Sequence, residues 1–355
     1  MSIPKNPFAK SNAIPGKGDV VLSLLPPDKQ VLTTFTYQYP LKLISPDPHI
    51  ITITQPDQDP KDTKDQDVQT KVIQVTTIFL LTYGGGLIAG DSINLTLTIN
   101  PHTRLALLTQ GSTKIFKTAH TPTTLASTSL VSQQSRPTRQ ILDVKIMPHS
   151  SLVYLPDPNQ PFSNSLYEQR QTFYVDPSGS SNLLFLDWVS EGRRARGESW
   201  TLTSWSGRNE VREFDEYSKG RLLIRDALLL FGDDLGAKTN GMGVIGTLVI
   251  YGRMFAALAE FFMREFKGLE RIGAKTWTVN GAMPAIDGAE SKDHAERQRE
   301  RMDGLLWTAA QVRGFVLVKF GAKEVDGARR WLAEMLKKEG TVEREFGHQA
   351  LLCLR

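Results

Sequence analysis

The chain of 355 residues is 40% hydrophobic and 23% charged, with a formal net charge of +4, which is the composition of an ordinary globular protein with a large core. The nearly balanced charge argues against a nucleic-acid partner, and the only cysteine, Cys353, excludes a disulfide framework or a cysteine-based metal cluster within one chain. The first residues contain no apolar segment of signal-peptide length, so we expect a cytoplasmic protein.

The beginning of the chain is expected to be loose. Residues 1–30 are polar and rich in proline and glycine, which predicts a flexible tail, whereas Val31–Ile44 is predicted to form one or two strands. Residues 31–355 are then expected to form a single β-rich domain. Two polar insertions, over 55–70 and 285–302, are predicted to interrupt it.

From Lys71 onward, short runs with apolar residues recur at intervals of roughly eight to fifteen residues. They predict strands over Val72–Tyr83, Ser92–Ile99, Arg104–Gln110, Leu125–Gln133, Gln140–Met147, Ser151–Leu155, Tyr167–Val175, Asn182–Val189 and Ser199–Trp205. Many short strands indicate a stack of strands, a sandwich or a barrel. No fixed-period repeat is present that would predict a regular solenoid.

After Lys219 a helical period joins the strand pattern. Apolar residues at helical spacing follow Met254, and a second amphipathic helix is predicted over Val325–Lys338. Further strands are predicted over Val244–Tyr251, Ala274–Val279 and Gly314–Phe320. The predicted fold is therefore mainly β, a body of many short stacked strands or a sandwich with about two C-terminal α-helices.

One apolar run, Met242–Met263, is long enough to span a bilayer. It contains Arg253, and a charge near the middle of a span costs roughly 2.5–3.5 kcal/mol on insertion scales. Several glycines also interrupt it. We interpret the run as a buried strand that leads into an amphipathic helix, and we expect no membrane partner.

The glycine-rich segment Tyr83–Asp91 has the composition of a phosphate-binding loop but not its context. Such a loop lies between a strand and a helix, with a lysine directly after its last glycine. Here the glycines precede Ser92–Ile99, which alternates polar and apolar residues as a strand does, and Lys114 lies far downstream. The glycines are therefore predicted to open a strand, with Asp91 bracing the turn.

Other catalytic patterns are weak. The six histidines are at least eighteen residues apart, so a zinc-type site would have to be assembled from distant residues. Glu191 and Glu198 flank a loop with three arginines and could face each other across it. The loop has two interpretations that stay open: internal charge balance, or a recognition loop whose arginines bind the carboxylates of a partner.

Several motifs in order resemble one known family. Thr82–Asp91, followed by Leu107–Phe116, resembles the Gly-Gly-x-x-x-Gly-Asp and Thr-x-x-x-Thr-Lys segments of the urease accessory protein UreD family, called UreH in some bacteria. Leu155–Phe162, Tyr167–Arg170 and Glu191–Glu198 resemble its second block. The similarity spans roughly residues 30–355, and the polar insertions are similar to those of eukaryotic, fungal-like members.

The resemblance implies a cytoplasmic chaperone rather than an enzyme. Such a protein binds apo-urease and, with a UreF-like protein and a UreG-like GTPase, supports nickel insertion; it holds no cofactor tightly, and Ni²⁺ is in transit. We expect Gly84–Asp91 and Gln110–Lys114 to pack together as adjacent strand ends. The candidate residues for partner contact or an ion path are Tyr83, Gly84, Gly85, Gly86, Asp91, Gln110, Lys114, Glu191, Arg193 and Glu198.

Two alternatives remain from the residues alone. One is a β-rich hydrolase that uses Asp91, Asp187, Glu191 or Glu198, which requires two carboxyl groups roughly 5–10 Å apart in an open cleft. The other is a protein-binding scaffold without any metal dependence.

Overall fold

The computed structural model describes residues 14–54, 70–117, 136–215, 217–269 and 298–355. Strands make up 48% of it and helices 21%, so the predicted mainly β class is confirmed. The strands are β1 (Lys17–Leu25), β2 (Lys29–Tyr37), β3 (Leu41–Ile44), β4 (His49–Thr54), β5 (Thr70–Thr82), β6 (Gly86–Leu87), β7 (Ser92–Ile99), β8 (Arg104–Leu108), β9 (Lys114–Ile115), β10 (Thr138–Ile146), β11 (Ser151–Tyr154), β12 (Gln160–Pro161), β13 (Leu166–Val175), β14 (Asn182–Ser190), β15 (Ser204–Glu213), β16 (Leu222–Phe231), β17 (Val244–Tyr251), β18 (Leu306–Val312) and β19 (Phe315–Ala322). The helices that lie wholly within the described residues include α1 (Leu235–Lys238), α2 (Ala256–Lys267), α3 (Val325–Glu339) and α4 (Thr341–Phe346).

The strands form three sheets. The seven-stranded sheet has the order β16-β15-β13-β10-β7-β1-β2, and the nine-stranded sheet has the order β18-β19-β17-β14-β11-β8-β5-β3, with β4 paired to β5. A small third sheet has the order β12-β9-β6. The chain passes through the three sheets in turn, so β7-β8-β9 form one coil and β10-β11-β12 form the next.

Consecutive coils pair in parallel and stack equivalent residues on each other. In the seven-stranded sheet the register joins Leu97 to Val144, Val144 to Phe173 and Phe173 to Val211. All four side chains are fully buried, and Phe173 stacks on Phe185 of the facing sheet with ring centroids 4.4 Å apart. Each such side chain contributes roughly 1.5–3 kcal/mol of burial free energy, so these ladders hold the two large sheets together.

Helices α2, α3 and α4 cover the outer face of the nine-stranded sheet. Trp331 of α3 is the centre of an aromatic cluster, with its ring centroid 6.3 Å from Phe262 of α2, 5.4 Å from Trp307 and 5.5 Å from Phe320. The central strands β8, β11, β14 and β17 of this sheet are therefore buried on both faces. That explains why these strands are almost continuously apolar, whereas strands with one wet face alternate.

Two local predictions differ from the structure. The tail expected over residues 1–30 contains β1, whose Val20 and Leu22 are buried and which pairs with both β2 and β7. The strand expected over Ser199–Trp205 begins only at Ser204, because Trp200 has a φ of 50° and donates its indole N–H to the carbonyl of Met242 at 2.7 Å.

Other predictions lie wholly or mostly outside the described residues. These are the strands over Leu125–Gln133 and Ala274–Val279 and the polar insertions over 55–70 and 285–302, of which only residue 70 and residues 298–302 are described. Within Val31–Ile44 the structure has the two strands β2 and β3.

Candidate functional site

The third sheet brings the two glycine-containing motifs together. Gly86 of β6 is the partner of Lys114 in β9, and Lys114 is in turn the partner of Gln160 in β12. A Cβ atom on Gly86 would lie 2.6 Å from the carbonyl oxygen of Lys114 and 2.7 Å from the ring of Phe116. The expected packing of the two segments is therefore confirmed where Gly86 meets Lys114, and the absence of a side chain at Gly86 permits it.

The turn before β6 is open to its surroundings. Gly84 and Gly85 both have a φ of 74°, and a Cβ atom on either would meet nothing within 4 Å. Further along, the carboxylate of Asp91 accepts a hydrogen bond of 2.9 Å from the amide of Ile88. Asp91 thus braces its own turn, as predicted, while Tyr83 lies exposed beside Tyr39 with ring centroids 5.7 Å apart.

The loop of residues 191–198, which contains three arginines, lies beside the third sheet. The side-chain amide of Gln160 donates to the carbonyl of Gly192 at 3.0 Å, so residues 191–198 lie next to β12. We call residues 83–91, which include β6, together with β9, β12 and residues 191–198, the motif face. It contains nine of the ten residues predicted from the sequence, the exception being Gln110.

Two of the three arginines on the motif face are neutralised within the chain. Arg193 pairs with Glu198, and its guanidinium lies 3.8 Å from the ring centroid of Phe162. Hydrogen bonding from Arg193 lowers the pKa of Glu198. Arg194 contacts the buried Glu191 at 2.5 Å. The charge-balance interpretation therefore holds for these two pairs, and Arg196 is exposed.

Gln110 lies off the motif face, in a cleft of about 490 Å³ beside the end of β8. The cleft is organised by Asp157, whose carboxylate accepts hydrogen bonds from the hydroxyl of Thr109 at 3.1 Å, the amide of Gly111 at 2.8 Å and Arg329 at 3.0 Å. Asp157 thereby ties the second motif to α3.

The four carboxylates of the hydrolase alternative do not form a free pair. Asp91 is bound in its turn, and Glu191 and Glu198 are engaged by arginines. Asp187 lies between the two large sheets, where its oxygens accept hydrogen bonds from Gln169 at 2.8 Å and Asn209 at 2.7 Å. These four residues therefore do not form the open cleft with two facing carboxyl groups that the hydrolase alternative requires.

Asp187 belongs to a row of polar side chains inside the protein. We call this row the polar seam, and it consists of Gln140, Asn159, Tyr167, Gln169, Gln171, Asp187, Asn209, Asp226, Thr247 and Lys319. Withdrawal from bulk water raises the pKa of Asp187, and the hydrogen bonds from Asn209 and Gln169 oppose that rise. Polar groups at such positions are costly unless they are paired.

The inner end of the seam is a hydrogen-bonded cluster. Tyr167 donates its hydroxyl to Gln140 at 3.2 Å, and the amide of Asn159 donates to Gln169 at 3.2 Å. Burial raises the pKa of Tyr167 well above its ordinary value, so its hydroxyl stays protonated and available as a donor.

The outer end of the seam reaches the surface. The carboxylate of Asp226 accepts a hydrogen bond from Thr247 at 3.0 Å and pairs with Lys319 at 2.5 Å. The side chain of Lys319 is 52% exposed, whereas that of Asp226 is 14% exposed. A lysine ammonium group therefore occupies the mouth of the seam.

Two oxygens of the seam have no hydrogen-bond partner among the described residues. They are Oε1 of Gln171 and Oδ1 of Asn209, and both side chains are more than nine-tenths buried. The two residues are direct neighbours on β13 and β15. Unpaired buried acceptors of this kind are satisfied by water or by a cation.

Sequence reasoning singled out Asp187 but missed the rest of the seam. The signal was present in β13, where Tyr167, Gln169 and Gln171 alternate on the same face as the core residue Phe173. Polar residues in inward positions are the informative departure from a strand pattern. Across the described ranges, no group of three or more His, Cys, Asp or Glu side chains is placed to hold a metal ion.

Taken together, the fold and the site define a β-rich scaffold with its sequence motifs on one face and a polar seam in its interior. A sequence profile of the UreD urease accessory protein family matches residues 16–352. The chain therefore belongs to this family, which supports a role in urease maturation. No helix in the described part of the chain combines the length and apolar character that crossing a membrane requires.

Individual relatives agree with the profile. The chain is 27% identical to urease accessory protein 4 of Cryptococcus neoformans over 85% of this chain and 84% of that protein. It is 26% identical to an uncharacterized ureD-like urease accessory protein of Schizosaccharomyces pombe over 86% and 88%. It is 34% identical to urease accessory protein D of Arabidopsis thaliana over 44% and 46%.

Proposed function

We propose that this protein is a cytoplasmic, non-enzymatic chaperone of urease maturation that binds apo-urease and acts with UreF-like and UreG-like partners in nickel insertion. The observation that carries the proposal is the family match over residues 16–352. The names of the fungal and plant relatives, which are urease accessory proteins, support the same role.

The polar seam is the proposed path of Ni²⁺ through this protein. The ion is the cargo, so its contacts must be weak enough to release it. A cage of imidazole or thiolate ligands would hold a late transition metal tightly, whereas amide and carboxylate oxygens favour exchange. The unpaired oxygens of Gln171 and Asn209, next to the carboxylate of Asp187, supply such contacts.

The motif face is the proposed partner surface. Tyr83 and Ile88 are exposed large apolar side chains at its glycine-rich end, and Arg196 is an exposed cation at its other end. Exposed apolar side chains next to charge are typical of protein interfaces. The open space around Gly84 and Gly85 lets the backbone of a partner approach closely.

Reconstitution tests the maturation role directly. Apo-urease, nickel, bicarbonate and the other accessory proteins are combined with and without this chain, and urease activity is measured. We expect activation only in its presence. Equal activation in both mixtures would refute the proposed function.

A single substitution tests the seam separately. Asp187→Asn removes the inner carboxylate with almost no change of volume, and we expect activation to fall by about tenfold while co-purification with the partners persists. The matched control is Asp143→Asn, since Asp143 lies on a strand of the facing sheet and pairs only loosely with Arg170, at 3.7 Å. Normal activation by Asp187→Asn would exclude the seam as the path.

A further inference from the structure

Two histidines meet at a corner of the stacked coils. His102 lies in the turn between β7 and β8, and His149 lies in the turn between β10 and β11. Although the two residues are far apart in the sequence, their imidazole rings are stacked, with centroids 5.1 Å apart and an interplanar angle of 12°. Both side chains are exposed. The parallel pairing of the coils therefore creates a surface pair that no local spacing indicates.

The two turns have the same construction. In each, a proline precedes the histidine, and the residue after the histidine donates its amide back across the turn, from Thr103 to Asn100 at 3.3 Å and from Ser150 to Met147 at 3.1 Å. The side-chain hydroxyls of Thr103 and Ser150 repeat the contact, each at 2.7 Å. The two imidazoles are thus presented by matching, doubly closed turns.

The backbone of both histidines is in a conformation that favours glycine. Their φ angles are 63° and 58°, whereas the turn of the next coil, between β13 and β14, uses Gly179 for its positive φ. A non-glycine residue in this region stores strain, and such strain collects at functional sites. The strain is retained at the two turns where the rings meet.

We propose that His102 and His149 form a two-imidazole binding site for a late first-row divalent cation such as Ni²⁺ or Cu²⁺, with water at the remaining coordination positions. Imidazole is a preferred ligand for these ions. The rings are separated by about one strand spacing, ~4.8 Å, and rotation of an exposed ring about its Cβ–Cγ bond is unhindered by core packing. Both rings can therefore turn a nitrogen towards one ion at about 2.0–2.1 Å.

This site is independent of the polar seam and of the maturation role. The purified full-length chain is titrated with Ni²⁺ by calorimetry, together with His102→Gly and His149→Gly. Each substitution is expected to weaken binding by about tenfold or more, because it leaves a single imidazole. Unchanged Ni²⁺ affinity in both variants would refute the proposal.

The same variants separate a ligand role from a packing role. Glycine relieves the positive φ, so a pair that serves as ligands predicts an unchanged or raised urea midpoint in both variants. If the two rings only stack on each other, the urea midpoint of the glycine variants should fall while their Ni²⁺ binding stays intact. That result would overturn the proposal. His348→Asn is the control, since it removes one imidazole from a second histidine pair, His49 and His348, whose rings are edge to face at 5.6 Å. An equal loss of affinity in this control would also count against the site.

Spectroscopy of bound Cu²⁺ gives a readout of the ligands themselves. With less than one Cu²⁺ per chain, we expect electron spin-echo modulation from two imidazoles in the wild type and from one in His102→Gly. A two-imidazole spectrum that persists in this variant would assign the copper to other residues and overturn the proposal.

Discussion

Gly86→Ala is expected to damage the motif face more than the same change at the glycines with positive φ. Gly86 has an extended backbone, with a φ of 175°, so its conformation would accept any residue. Its surroundings would not, because the new methyl group would lie 2.6 Å from the carbonyl oxygen of Lys114 and 2.9 Å from the Cβ atom of Lys114. Both atoms belong to β9, so relief requires β6 and β9 to separate.

The magnitude follows from these contacts. Overpacking against rigid backbone costs roughly 1–3 kcal/mol, and each ladder hydrogen bond that is lost adds about 1 kcal/mol. We therefore expect Gly86→Ala to lower the free energy of unfolding by about 2–4 kcal/mol. Gly84→Ala meets open space, so its cost is the left-handed backbone alone, about 1–2 kcal/mol, partly offset by the reduced entropy of the unfolded chain.

Urea unfolding followed by circular dichroism measures both variants. The variants are compared by their urea midpoints, provided that the slope of the unfolding free energy against urea concentration is unchanged. A changed slope would report an altered unfolded or native state. A Gly86→Ala midpoint equal to that of the wild type, or higher than that of Gly84→Ala, would show that β6 and β9 do not pack as described.

Two further predictions concern ionisable groups. Because hydrogen bonding from Arg193 lowers the pKa of Glu198 in the folded state, the pair contributes stability above the ordinary carboxyl pKa and loses it as the pH falls through the lowered value. The excess unfolding free energy of the wild type over Glu198→Gln should therefore be full at pH 7 and should shrink below about pH 4; a difference that stays constant in acid would contradict this. Burial raises the pKa of Cys353 to about 12, and its thiol donates to the carbonyl of Thr109 at 3.2 Å. Thiol reagents at pH 8 should therefore modify the native chain far more slowly than the urea-unfolded chain, and rapid stoichiometric labelling of the native chain would contradict it.

The strands of the stacked coils could be predicted because the alternation of polar and apolar residues in their sequence matches the alternation of exposed and buried positions in the structure. In β7 every second residue is buried, and the alternation in Ser92–Ile99 is visible in the sequence. The prediction failed at β1, whose short apolar run lies in a proline- and glycine-rich stretch and whose partner β7 is far along the chain. It failed again at Trp200, where an apolar side chain packs from a loop rather than from a strand.

Contacts of the site between residues close together in the sequence could be predicted. Contacts between residues on different strands of the stacked coils could not. The brace formed by Asp91 joins residues three apart, and glycine chemistry indicates such a turn. The polar seam joins Gln169, Asp187 and Asn209 from three different strands. Nothing local shows that these strands face one another, so their meeting follows only from the order of the coils.

The parallel pairing of β7 with β10, and of β10 with β13, has a consequence for how the chain reaches its native state. A parallel ladder forms only after the chain has closed a whole coil, so loop-closure entropy is lost before any ladder contact compensates it. Topologies of such high contact order fold slowly. The helices α2, α3 and α4, which cover the outer face of the nine-stranded sheet, follow most of its strands in the sequence, so this apolar face stays uncovered on the nascent chain until these helices have been synthesised.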